Sequence, residues 1–394
     1  MMSYALDWLN LLLRWFHLTI GISWIGASFY FVWLDNHLLP AKDPEDTANG
    51  VSGELWSVHG GGFYHNQKYP TGPKREPLTE HLHWFKWEAY STWLSGMAML
   101  AVVYWSSAGT LLIDKRVLDL TPAEAIGISI ASIVIGWLVY DALCKVLERH
   151  VLALGVAVYA FLVLATWGLF HVFGARAAYI HIGAIVGTIM VANVAMVIIP
   201  GQRKMLAQIR KGEVPDPRPG LLGKTRSVHN TYFTLPVLFT MISNHYPMTY
   251  GSAYGWEALA VLSVASIFVR QFFLLTHKGR YVPWLLIGAA ALILVVALAL
   301  APRTAAVSET VTYAQVAPIF KQRCAVCHAE HPTQPGFVAP PEGVLLDTPE
   351  HIKENAARIE AQAVLTENMP IGNITNMTKE ERVQIGAWIA GGAH

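Results

Sequence analysis

Eight apolar runs, near residues 8–34, 84–105, 124–143, 150–173, 178–200, 228–246, 257–276 and 282–301, constrain this chain more than any other feature. Each is long enough, as a helix, to cross a hydrocarbon layer about 30 Å thick. In lipid the backbone N–H and C=O groups have no water to bond, so such runs are usable only as helices. Composition agrees: 54% of residues are hydrophobic and 14% charged, where soluble domains carry about 25% charged residues. A formal net charge of +1 gives no electrostatic reason to expect a nucleic-acid partner. The first run lacks a basic leader and a small-residue cleavage site, so it reads as a span and not as a cleaved signal.

After "LALAPRTAAVSE" (298–309) the character changes to a charged segment of about 85 residues, enough for a small domain organised around a cofactor. The expected architecture is therefore all-α, an eight-helix transmembrane bundle over 1–303 followed by a small helical domain over 304–394. Lysine and arginine set its orientation. Alternate connections, including 35–86 and the stretch with Arg203, Lys204, Arg210, Lys211, Arg218, Lys224 and Arg226, hold sixteen basic residues. The other set holds Lys115, Arg116 and Arg176. The basic set is expected in the cytoplasm, which puts both termini outside, in the periplasm of a bacterial inner-membrane protein.

The second segment contains "KQRCAVCHAE" (321–330). C-x-x-C-H is the spacing of covalent haem attachment, with thioethers from Cys324 and Cys327 and an axial nitrogen from His328. A zinc site would want a second ligand pair at similar spacing, and none follows cleanly. "TYAQVAPIFKQRC" places Tyr313, Val316, Ile319 and Phe320 on one helical face leading into the motif. "MTKEERVQIGAWIAGG" opens with a capping box, Thr378 and Glu381, and runs as an amphipathic helix to a glycine stop. This order resembles a small cytochrome c. Its sixth iron ligand should be a methionine. Met369, held in an extended loop by Pro370, is favoured over Met377, which precedes the capping Thr378 as a packing residue would.

Polar residues inside spans are costly and mark function. His17, His171, His181 and His245 fall toward the outer side. A pair of them facing one another across helices could hold a b-type haem, with His17 the first candidate and His181 its partner; the alternative is interfacial histidines at helix ends. The first connection contains "ELWSVHGGGFYHNQKYPTGPKREPLTEHLHWFKWEAY" (54–90). There the glycine triplet, His59, His65 and Tyr64 suit either a planar-ligand pocket or a solvated loop with interfacial aromatics. Arg270, in "VLSVASIFVRQFFLL" (261–275), offers a planar, always-charged fork for an anionic ring, with Gln271 beside it; its alternative is snorkelling to headgroups. Glu88 is a candidate proton acceptor, or a partner for Lys86. Arg14 and Asn193 need partners and have no assigned role.

Three segments, "LRWFHLTIGISWIGASFYFVWLDNHL" (13–38), "ELWSVHGGGFYHNQKY" (54–69) and "SVHNTYFTLPVLFTMISNHYP" (227–247), resemble the membrane domain of the bacterial membrane-bound urate hydroxylases, the PuuD family. In that family a cytochrome c domain follows, and "NMPIGNITNMTKEERVQIGAWIAGGA" (368–393) fits its ending. The resemblance implies oxidation of urate to 5-hydroxyisourate in purine catabolism. Electrons would leave through haem to a respiratory acceptor such as a soluble cytochrome or oxidase. It assigns no urate-binding residues. Arg270 as anion binder, with Glu88 or His83 as base, follows from the chemistry of the ring. The competing reading is a quinol-oxidising respiratory module with a fused cytochrome.

Overall fold

The computed structural model describes residues 2–301, 311–335 and 337–393, and helix dominates it. From the N-terminus come α1 (Met2–His37) and the short α2 (Pro44–Asn49), then an antiparallel hairpin of β1 (Gly53–His59) and β2 (Gly62–Lys68). α3 (Trp87–Met99) continues through a π-helical turn to Trp105, and α4 (Ala108–Leu111) is a single turn. Next are α5 (Pro122–Val146), α6 (Val151–Phe170) and α7 (Ala175–Ala192), which runs through a second π-turn, Asn193–Ile198, into α8 (Ile199–Arg210). α9 (Arg218–Ile242), α10 (Pro247–Tyr250), α11 (Gly255–His277) and α12 (Trp284–Ala299) complete the apolar part.

Helix therefore occupies all eight apolar runs. Among the described residues, five helical stretches are long and apolar enough to cross a membrane: Trp8–His37, Pro122–Val146, Val151–Phe170, Ala175–Arg210 and Gly255–His277. Trp284–Ala299 is equally apolar but shorter, about 24 Å at 1.5 Å per residue. The expected domain boundary at 303–304 lies outside the described residues. The hairpin departs from an all-α fold. Gly60 and Gly61 have φ of +59° and +83°, which a two-residue turn of this hand requires. The glycine triplet is thus spent on a turn, while His65 stacks on Trp56 across the strands and bonds Glu54 at 2.8 Å.

The α7–α8 stretch is the centre of the bundle, with 56% of its apolar window buried against 6% for α1. α7 packs on α5, α6 and α9, whereas α1 lies at the edge against α3. Small residues allow these approaches, the usual device where lipid removes the hydrophobic drive between helices. A Cβ on Gly136 of α5 would fall 2.6 Å from Ile185 Cγ2, and one on Gly183 of α7 would collide with Thr240 Oγ1 of α9. Serine and threonine hydroxyls in the spans turn back to carbonyls one turn earlier, as Thr166 does to Leu162 and Ser263 to Leu259. That satisfies them where no water is at hand.

The C-terminal segment has its own core. α13 (Tyr313–Ile319) leads through a π-turn to Cys324, followed by α14 (Pro349–Glu354), α15 (Ala356–Ile359) and α16 (Lys379–Ala390). Val316, Phe320, Ile352, Ile385 and Trp388 are buried together, and Phe320 meets Trp388 edge-on at 5.6 Å. The expected capping box is present, Thr378 Oγ1 accepting from the Glu381 N–H while Glu381 accepts from the Thr378 N–H.

The segment docks on one end of the bundle. Arg116 donates to Glu367 at 2.7 Å and Tyr250 to Asn368 at 3.4 Å. Gly372 sits so close to Thr110 and Ile113 that a Cβ would meet the Ile113 carbonyl at 2.8 Å. At the other end, Lys68 of β2 and Lys224 of α9 both reach Asp35 of α1, Lys224 at 3.0 Å. Connections of one basic-residue class thus meet at one end, and those of the other class meet the C-terminal segment.

Candidate functional site

Arg270 is the least explained charge in the bundle. It sits on the face of α11 that turns inward, 5% exposed, and its Nε and Nη2 are buried without a hydrogen-bond partner. Its guanidinium lies 4.3 Å from the Phe29 ring centroid of α1, and beside it Gln271 accepts from Tyr232 of α9. Snorkelling does not describe this geometry, because a snorkelling head group reaches water. A buried charge left unpaired costs several kcal/mol, a cost that an anion beside it would offset. The guanidinium lies over the Phe29 ring in a cation–π contact.

The same faces of α1 and α11 carry further groups. Phe29, Trp33 and His37 recur every four residues, and His277 lies two turns beyond Arg270. The His37 and His277 rings are 5.1 Å apart, Trp33 stacks on His37, and His277 Nδ1 is buried with no partner. From sequence, His37 and His277 belong to the histidines of the cytoplasmic side, the group from which His83 is the named example of a base. The signal for Phe29 and Trp33 was the four-residue spacing on α1, which reads equally as packing.

Glu88 and His83 lie on and before α3. Glu88 is half-buried on the first turn of α3. His83 is exposed and meets Phe85 edge-on at 4.6 Å, and Phe85 meets Phe31 at 4.8 Å. Phe31 and Phe29 are two residues apart, about 200° around the helix, so His83 and Arg270 lie on different faces of α1.

His17 and His181 are also separate. His17 bonds Ser95 of α3 at 2.9 Å, with Gly96 making room for its ring. His181 is fully buried. Its Nδ1 is 2.7 Å from the Ala177 carbonyl, its Nε2 is 2.7 Å from Ser129 of α5, and Phe173 covers the ring at 4.6 Å. Both ring nitrogens thus have partners within the chain, and His17 and His181 bond different helices, α3 and α5. Asn193 finds its partners in a network that spacing did not suggest. It joins Tyr140 and Asn230, both at 2.9 Å, and accepts from Arg226, which in turn pairs with Asp141 at 2.7 Å. Every member is paired, and the network pins α5, α7 and α9 together. Arg14 bonds Asn10 one turn earlier. Cys144 is a buried thiol near His229.

The residues around C-x-x-C-H fit a covalently held haem. Cys324, Cys327 and His328 lie within one helical turn, His328 N–H donating to the Cys324 carbonyl at 2.9 Å. The His328 Nδ1 lies 3.0 Å from the Val344 carbonyl, the contact that fixes a ligating imidazole and leaves Nε2 for a metal. Burial pushes the Cys324 thiol up to about 12, so it is inert as a free nucleophile at neutral pH. Met377 is 3% exposed, with its backbone N–H and carbonyl bonded to Asn373. Met369 is half-buried at the edge of the same core, and its backbone is held on both sides. Its N–H donates to Gln362 at 2.8 Å, and Arg382 donates to its carbonyl at 2.6 Å. Arg382 Nη2 remains buried and unpartnered, free for a carboxylate such as a haem propionate. A cavity of about 570 Å³, lined in part by Arg116, Arg176, Tyr250, Glu367 and Asn368, lies where this segment meets the bundle.

No curated protein and no solved structure matches the chain. The family model described as urate oxidase N-terminal matches residues 3–301, a stretch that contains the whole helical bundle and the Arg270 site. The chain belongs to the urate oxidase N-terminal family.

Proposed function

We propose that this protein is a membrane-bound urate hydroxylase whose bundle oxidises urate to 5-hydroxyisourate and whose C-terminal segment takes up the electrons. The observation that carries the reading is the buried Arg270 guanidinium, with two unpartnered nitrogens beside the Phe29 ring. Family membership makes a urate-related substrate the natural occupant of such a site. Urate is a planar anion with adjacent carbonyl and N–H groups, which a guanidinium fork can pair and a ring face can cover. The same cation stabilises charge that grows on the ring as it is oxidised.

Cys324, Cys327, His328 and Met369 would hold a c-type haem, which when bound accepts electrons one at a time. The chain's own contribution there is to hold Met369 through Gln362 and Arg382 and to keep that loop on the bundle through Glu367 and Asn368. The eight helices would all span the inner membrane, with the C-terminal segment in the periplasm. That reading rests on the sorting of basic connections and on the need for covalent haem attachment outside the cytoplasm.

The test is anaerobic addition of urate to the purified full-length protein, followed at the reduced c-haem band. Reduction by urate, with quinol inert, is expected. A haem that stays ferric with urate, or responds only to quinol, refutes the proposal.

A further inference from the structure

The oxidation needs a proton acceptor as well as an anion binder. Urate and water give the hydroxylated product, two electrons and two protons. A C5–O bond forms, one ring N–H and one water O–H break, and the electrons leave in two single steps to the c-type haem. Resting on the reading above, we propose that His277, backed by His37, takes the ring proton of the molecule held by Arg270.

Three observations converge. His277 projects from the same face of α11 as Arg270, two turns on, and its Nδ1 is buried with nothing to bond. His37 faces it at 5.1 Å between ring centroids. The His37 Nδ1 lies 2.7 Å from the Trp33 carbonyl, and donation there fixes the tautomer with a free lone pair on Nε2. The pair stands where α1 and α11 end, at the same end of the bundle as the Lys68–Asp35–Lys224 cluster, so a proton passed from one imidazole to the other leaves the bundle by the end opposite the C-terminal segment. Protons and electrons then depart in opposite directions.

The charged groups facing His277 are few. They are Arg270 on its own helix and His37 on α1, with Tyr232 of α9 adjoining Arg270; Lys278 and Arg280 follow it in the chain, and α12 carries no ionisable side chain. Asp35 is engaged by its two lysines. Of these, His277 is the base that shares the guanidinium's own helix face.

The experiment uses the full-length haem-loaded protein and stopped-flow reduction by urate from pH 5.5 to 9. In the wild type, kcat/KM is expected to rise with pH as an imidazole loses its proton. In H277Q, kcat should fall roughly 10²-fold or more with KM little changed, and the low-pH limb should flatten. H37Q should keep the limb and lose a smaller factor. An unaltered c-haem spectrum and urate binding followed by tryptophan fluorescence separate a catalytic loss from misfolding. If H277Q retains the wild-type rate and pH profile, the assignment of His277 is overturned while urate oxidation stands. If urate does not reduce the wild-type haem, both readings fall.

Discussion

Replacing Arg270 by methionine should move stability and activity in opposite directions. The side chain is 5% exposed, and two of its nitrogens have no partner. Without substrate the fold therefore carries a desolvation penalty that the Phe29 cation–π contact offsets only in part. Exchanging buried charge for an apolar residue of similar length is commonly neutral or stabilising by about 1–4 kcal/mol. With substrate the sign reverses. Two hydrogen bonds from a charged donor are each worth about 1.5–3 kcal/mol, together about 3–6 kcal/mol. At 1.4 kcal/mol per tenfold, kcat/KM for urate should fall roughly 10²- to 10⁴-fold. The assay pairs thermal melting of the detergent-solubilised protein, with and without urate, against anaerobic haem reduction. R270M should melt at or above the wild-type temperature and gain nothing from urate, whereas urate should raise the wild-type midpoint. An R270M protein that melts several degrees lower, with its urate kinetics intact, would show the arginine to be a structural strut and would refute the reasoning.

Two further outcomes follow from the packing. G183A should destabilise the bundle by roughly 1–3 kcal/mol, because the added methyl meets Thr240; G127A, with nothing within 4 Å, should be neutral or better, and equal melting of the two would contradict the packing. Burial alone would raise the Asp114 carboxyl, but the hydrogen-bonded Arg116 guanidinium holds it below the usual range. Its contribution to docking of residues 364–373 is then complete above about pH 4, the ordinary aspartate value, and disappears as pH falls through the depressed one. Amide exchange in that loop should stay protected at pH 5 and quicken only in stronger acid, and release near pH 6 would count against it.

Lipid made the helices easy to read. A run of twenty apolar residues has one workable backbone solution, and all eight runs hold helix. Arg270 was visible for the same reason, since a charge in such a run needs an explanation. Its surroundings were not visible, because Phe29 and His37 lie over 230 positions away and their spacing matches ordinary helix packing. His181 shows the converse. A histidine in a span suggests an iron ligand, whereas the partners its ring has, Ala177 and Ser129, are known only once α5 and α7 are packed. The hairpin had a local signal, alternating residues around a Gly-Gly turn, which a ligand-seeking reading of the same glycines obscured. In the C-terminal segment the capping box and the packing of Met377 ahead of it were legible because both depend on residues only a few positions apart.

Anchoring the Met369 loop at Glu367, Asn368 and Gly372 has a kinetic consequence. A cytochrome swinging on a tether must find its donor anew in each cycle, and its search time enters the turnover. If the proposed haem is held in a segment seated on the bundle, that search is absent and the first transfer becomes insensitive to viscosity. On that proposal the encounter that limits throughput would move outward, to the meeting of this seated segment with whatever diffuses up to collect its charge.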